Sequence, residues 1–184
     1  IDVGTSSMKA GAISSSGHLL ALARKRLIRR EREVGQWRAE AWDRALELLL
    51  RELADYNNPD CVVISGNGPT VVGLTANGTA VEPVLLWLDG REKPLEGNRS
   101  FFLPRVNWLR EEKPKTFASL ASVVSFPEYL YYRLTGELVT ITPSEEFSEF
   151  IWGEEEVRRY GFDPSIFPPY IHPGEHVGRV TRRG

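Results

Sequence analysis

The order of the first elements limits this chain's fold more than any other feature. Val3 sits in the stub of one strand, Met8 to Ile13 reads as a second, and Leu19 to Leu27 reads as a third. Ser14-Ser15-Ser16-Gly17 supplies the turn between the last two. This is a meander, not a strand–helix crossover. A helix follows only then. Trp42, Leu46, Leu49, Leu50 and Leu53 recur at i, i+4, i+7, i+8 and i+11, which draws one apolar face. Asn57-Asn58-Pro59 is expected to stop it. Cys61 to Ile64 is expected as a short buried strand. Val71 to Leu74 and Ala80 to Trp87 are expected as further strands, with Asn77-Gly78 as a hairpin turn between them.

The second half turns helical. Val106 to Glu112 and Pro127 to Leu134 read as short helices, the latter closed by Gly136. Thr142-Pro143-Ser144-Glu145 has the form of a capping box with proline at the first helical position. Glu154 to Tyr160 reads as another helix, and the tail from Phe167 is extended. At 184 residues the chain can bury one sizeable core and is short for two domains. The expectation is an α/β domain spanning 1–184, with helical insertions in its second half.

Charge and cysteine content narrow the partners. The formal net charge is -2, so no global basic field exists to hold nucleic acid. The local cluster from Arg24 to Arg32 is interrupted by Glu31 and reads as a solvated strand end. The one cysteine, Cys61, excludes an internal disulfide and reads as a small buried hydrophobe, which fits a reducing cytoplasmic setting. No apolar stretch approaches the ~18 residues that span a bilayer, so no membrane partner is expected. No signal peptide is visible, and Ile1 has mid-strand character, as if the amino terminus were trimmed. His18, His172 and His176 lack metal-ligand spacing with a third ligand and read as surface residues. Glu154-Glu155-Glu156 reads as a helix N-terminal charge cluster.

The opening Asp2-Val3-Gly4-Thr5-Ser6-Ser7-Met8-Lys9 carries the chemistry. A carboxylate at a strand end can face a metal directly or through water. A glycine lets backbone approach phosphate. Turn amides and hydroxyls can hydrogen-bond phosphate oxygens, and Lys9 adds positive charge. No Walker A sequence and no G-x-G-x-x-G is present, so those two phosphate cradles are not in use. Taken alone, the run reads equally well as a tight turn.

Five segments in order resemble the amino-terminal half of the FGGY carbohydrate kinases. Asp2 to Lys9 is similar to that family's first phosphate motif. Ile64-Ser65-Gly66 matches the strand end before its substrate loop, and Pro83 to Arg91 resembles its Pro-(apolar)-Trp-x-Asp-x-Arg segment. Tyr129 to Glu137 is close to its Tyr-Leu-x-x-(Arg/Lys)-Leu-Thr-Gly-Glu segment. Phe162 to Ser165, Pro168, and Gly174 to Gly178 resemble the end of its first domain. The resemblance implies a ribonuclease-H-like fold of the actin, Hsp70 and sugar-kinase superfamily. It implies ATP and Mg2+ as cofactors, with Asp2 facing the metal and Gly4, Thr5, Ser6 and Lys9 lining the phosphates. The sugar or polyol would meet Asn67, Trp87, Asp89 and Arg91, with a pentulose slightly favoured. Trp87 reads nearly as well as a core aromatic, and Asp89 with Arg91 as a mutual salt bridge. Arg133 to Gly136 read as a helix end with no chemical duty. The implied general base is an aspartate beyond Gly184, so no catalytic residue is assigned within this chain. A second, ATP-binding domain is expected in the parent protein, and a homodimer of that full-length protein is admitted.

One loop departs from the family pattern. The family often has Ser-Gly-Gln-Met-His-Gly, where this chain has Ser65-Gly66-Asn67-Gly68-Pro69-Thr70. Gly68 and Pro69 offer no side-chain donor or acceptor. The alternative this motivates is a non-catalytic sugar-binding or regulatory relative of the same fold.

Overall fold

The computed structural model describes residues 1–27, 38–56, 58–66 and 68–181. The opening meander forms as the sequence implies. β1 (Asp2–Val3), β2 (Ser7–Ile13) and β3 (Leu19–Arg26) pair antiparallel in turn, and β4 (Ser65–Gly66) joins β1 in parallel. The strand order is β3-β2-β1-β4. α1 (Ala39–Glu52) packs on one face of this sheet. The sheet presents Val3, Met8, Ala10 and Ala23 to it, and the two alanines are small enough to let the helix lie close. The helix answers with Ala39, Trp42, Ala45, Leu46 and Leu49.

The expected helix face is mostly right and wrong at one position. Leu50 is 40% exposed, because the two alanines Ala39 and Ala45 shift the buried stripe away from it. The α-helix ends at Glu52 and a 3-10 turn follows over Ala54–Tyr56. Of the expected stop, Asn57 lies outside the described residues, as do 28–32 of the basic cluster.

β5 (Val71–Leu74) and β6 (Ser122–Ser125) form a second, antiparallel ladder in which all eight residues are buried. Alternation sends Val72, Leu74 and Val124 to the core under α1. Val71 and Val123 face a second core with Leu85, Leu103, Val106, Leu109, Ile151 and Trp152. The ladder therefore divides the interior in two. Gly73 allows this, since a Cβ there would lie 2.5 Å from Leu120 Cδ2.

Helices finish the second core. α2 (Leu103–Glu112) begins three residues before the expected start, with Pro104 in its first turn and the Ser100 hydroxyl accepting from the Phe102 and Leu103 amides. α3 (Pro114–Phe117), α4 (Phe126–Thr135) and α5 (Glu154–Arg159) follow. Gly136 caps α4 at φ 83°, a conformation that favours glycine. β7 (Thr140–Ile141) pairs in parallel with β8 (Tyr170–Ile171), which ties the tail to the domain. Asp43 on α1 accepts from the Tyr129 hydroxyl and pairs with Arg133 at 3.1 Å, so two α4 residues hold α1. Trp42 stacks on Phe126 with ring centroids 3.5 Å apart.

Other expectations are corrected. Cys61 to Ile64 is not a strand, because the two-residue β1 gives partners only to Ser65 and Gly66, and Cys61 is exposed. Ala80 to Trp87 makes only isolated bridges to β5, at Leu74–Ala80 and Val71–Leu85, because Pro83 has no amide for a ladder. The Asn77-Gly78 turn itself forms, with the Thr75 amide donating to the Thr79 carbonyl. The capping box is not at Thr142, whose hydroxyl instead donates to the Ser144 carbonyl ahead of a 3-10 turn over Glu146–Phe150. It is at Ser125 and Glu128, on α4.

Glu128 does more than cap. One carboxylate oxygen accepts from the Ser125 amide and the other from the Ile141 amide, each at 2.8 Å. Burial pushes its pKa up from 4.5 to about 7 against the pull of those two amides. The folded state then holds a proton that the unfolded state releases, so this contribution is full below pH 4.5 and fades as pH rises through 7. Urea melts between pH 5 and 8 are expected to show stability falling over that window. Glu128→Gln, which cannot ionise, should flatten the fall; an unchanged slope would assign it to another group.

Candidate functional site

The site starts from the parallel pairing of β1 and β4, which sets two loops side by side. Val3 pairs with Gly66, so the turn Gly4-Thr5-Ser6 leaves the sheet beside the stretch that begins after Gly66. The turn is tight: the Gly4 amide donates to the Ser7 carbonyl at 3.0 Å, and a Cβ on Gly4 would sit 3.0 Å from that same oxygen. Thr5 is partly exposed and Ser6 exposed, and neither hydroxyl is taken among the described residues. Asp2, Lys9 and Arg24 form a row across the sheet on the face away from α1. Lys9 Nζ lies 3.2 Å from Asp2 Oδ2, with side chains 43% and 57% exposed. An exposed pair of this kind is weak and easily exchanged for another ligand. The residues therefore fit a phosphate group: small backbone, two hydroxyls and one cation. Among the described residues no three His, Cys, Asp or Glu side chains converge as a metal cage. The lone carboxylate of Asp2 suits a cation held chiefly by phosphate and water.

A second part stands beside Gly68. Asn67 lies outside the described residues. Gly68 faces Trp87, since a Cβ there would come 3.8 Å from Trp87 Cβ. Trp87 is 43% exposed, which sets aside its reading as a core aromatic. Asp89 is buried and is held by Arg91: its Oδ1 accepts from the Arg91 amide at 3.0 Å and from Nε at 2.8 Å. Its Oδ2 accepts from Nε at 2.9 Å and pairs closely with Nη2. Burial works against the Asp89 charge, but the Arg91 hydrogen bonds outweigh it and hold the carboxyl below its usual pKa. The Arg91 guanidinium also lies over the Trp108 ring at 5.2 Å. The mutual salt bridge is thus real, and it shapes the Trp87–Arg91 turn from within.

The structure brings Asp2, Gly4, Thr5, Ser6 and Lys9 into one turn, and Trp87, Asp89 and Arg91 into another. Gly66 lies beside the first and Gly68 beside the second. Two residues that the sequence did not single out support this arrangement. Pro127, on α4, packs on Gly66. Arg105, on α2, donates to the Trp87 carbonyl at 3.1 Å. The pattern around Pro127 was visible as Ser-x-Pro-Glu; nothing local marked Arg105.

Comparisons with known proteins bear on the fold as a whole. No family model matches the chain. The xylulose kinase of Lactococcus lactis subsp. lactis (strain IL1403) is 26% identical, over 98% of this chain and 42% of its own length. The structure of a xylulose kinase from Rhodospirillum rubrum matches with a TM-score of 0.77 at 21% identity, over 98% of this chain and 44% of that one. A Plasmodium falciparum glycerol kinase solved with ADP matches with a TM-score of 0.79 at 14% identity, over the same shares. The chain spans less than half the length of these relatives. Strand order and structural likeness define the class by fold alone: a ribonuclease-H-like α/β domain, the fold shared by actin, Hsp70 and sugar kinases. The chain is similar to the amino-terminal part of carbohydrate kinases, xylulose kinases among them.

Gly66 gives a direct test of how the two loops are held. A Cβ there would lie 2.6 Å from Pro127 Cγ, so Gly66→Ala must move the start of α4 or the end of β4. The expected cost is ~1–3 kcal/mol of stability, the range for overpacking a tight contact. Gly66→Ala combined with Pro127→Ala should recover most of it. A double variant as unstable as the single one would place the strain elsewhere.

Proposed function

We propose that this chain is the amino-terminal domain of an enzyme that phosphorylates a hydroxyl of a sugar or polyol with ATP. The observation that carries the reading is the pair of turns, one beside Gly66 and fit for phosphate, the other beside Gly68 with Trp87 exposed. The xylulose kinase relatives favour a pentulose as the substrate class. Gly4, Thr5 and Ser6 would hold the phosphates, with Lys9 as the nearby cation and Asp2 as the single protein carboxylate for magnesium. Magnesium-ATP supplies the phosphoryl group and neutralises its charge when bound. The chain's own part is positional: the tight turn at Gly4 keeps side chains out of the way, and the wall at Trp87 orients the sugar. The general base and the rest of the nucleotide site belong, in this reading, to polypeptide beyond the matched part. The decisive experiment is ADP release by the complete protein against D-xylulose, gluconate and glycerol. Sugar binding without ADP release would instead favour a non-catalytic relative.

Two substitutions test the parts separately. Asp2→Asn in the complete protein is expected to lower turnover by about 100-fold or more, since a metal contact is worth several kcal/mol. The fold should survive, because Asp2 is exposed. Unchanged turnover at saturating magnesium-ATP would remove Asp2 from the site. Asp89→Ala is expected to raise the sugar KM about 5- to 150-fold, for ~1–3 kcal/mol lost when the turn held through Arg91 loosens, with little effect on the ATP KM. If only the melting temperature falls, Asp89 serves Arg91 and nothing else.

A further inference from the structure

Arg105 lies on α2, outside the turn it supports, and its side chain is 9% exposed. Burying a guanidinium is costly unless its donors are met. Here they are met almost entirely by backbone. Nε donates to the Leu86 carbonyl at 3.3 Å, Nη2 to the Trp87 carbonyl at 3.1 Å, and Nη1 to the Phe101 carbonyl at 2.8 Å. Glu92 Oε2 lies 3.5 Å from Nη2 and supplies the opposing charge. Leu86, Trp87 and Glu92 bracket the turn that carries Asp89 and Arg91. That turn belongs to no ladder, so little regular structure fixes it. The same helix adds two more ties, with the Lys93 amide donating to the Pro104 carbonyl and the Asn107 amide group to the Lys93 carbonyl.

We propose that Arg105 is a positioning residue for the sugar wall: its fork clamps the Leu86 and Trp87 carbonyls to α2 and so sets where Trp87 and the Asp89–Arg91 pair stand. This rests on the kinase reading of the Trp87–Arg91 wall. Arg105 itself is not a ligand, because its donors are spent on the chain. A lysine cannot replace it, since one ammonium lacks the planar fork that meets several carbonyls at fixed directions.

The test uses the complete protein, with D-xylulose and ATP as probes. Arg105→Met and Arg105→Lys are both expected to raise the D-xylulose KM at least tenfold while the ATP KM stays within about twofold. Arg133→Met, which breaks the Asp43 contact, serves as a control for loss of an arginine elsewhere in the domain and should leave both KM values alone. Amide exchange over 86–92 is read on the same variants. It should quicken at least tenfold in the Arg105 variants while exchange in β5 and β6 is unchanged. Unchanged exchange over 86–92 overturns the clamp whatever the kinetics show. Faster exchange with an unchanged sugar KM overturns its service to the sugar. If the wild-type protein forms no sugar-dependent ADP, the kinase reading fails, and the exchange result still decides the clamp.

Discussion

The fold hangs on the β5–β6 ladder, because it is buried on both faces. Its outward-alternating valines belong to two different cores, so neither core can shift without the other. The ladder's ends are where the site begins. Val71 follows directly on the loop at Gly68 to Thr70, and Ser125 opens the capping box of α4. The far edge of β5 holds Leu85 by a reciprocal pair of backbone bonds with Val71, at 2.8 and 3.0 Å. Two residues later comes Trp87. Position is thus passed from a doubly buried ladder to a loop, a helix start and a wall, each within a few residues of it.

Legibility followed how local each cause was. The meander and α1 could be read because alternation and helical spacing are repeated patterns, and Gly136 because a left-handed cap is a one-residue signal. Leu50 was misplaced because leucine carries more hydrophobicity than the alanines that set the actual face. β6 was missed because Ser-Val-Val-Ser is short and ends in the residue that caps the next helix. The capping box was given to Thr142 rather than Ser125, since both show a hydroxyl residue followed three later by glutamate. Tertiary contact decided between them: Glu128 gains a second amide from Ile141. The phosphate turn was legible as a contiguous motif. Arg105 was not, since its partners are main-chain carbonyls 4 to 19 residues away and any sequence supplies carbonyls.

The two ion pairs of the site differ in a way that suits different tasks. Asp2 and Lys9 are both about half exposed and meet through a single contact of 3.2 Å. Water competes for both groups, so little is lost when either turns to a new partner. Asp89 is buried and meets Arg91 through several bonds, one of them from the Arg91 amide. Breaking that pair would strand a carboxylate away from water, which is costly. The first pair is built to exchange ligands and the second to hold shape. A sugar reaching the wall would therefore find Asp89 already committed on both oxygens. On the kinase reading it would meet that carboxylate only through the Arg91 it holds, and the proposed clamp on the Leu86 and Trp87 carbonyls would decide whether Arg91 and the exposed Trp87 address the same molecule.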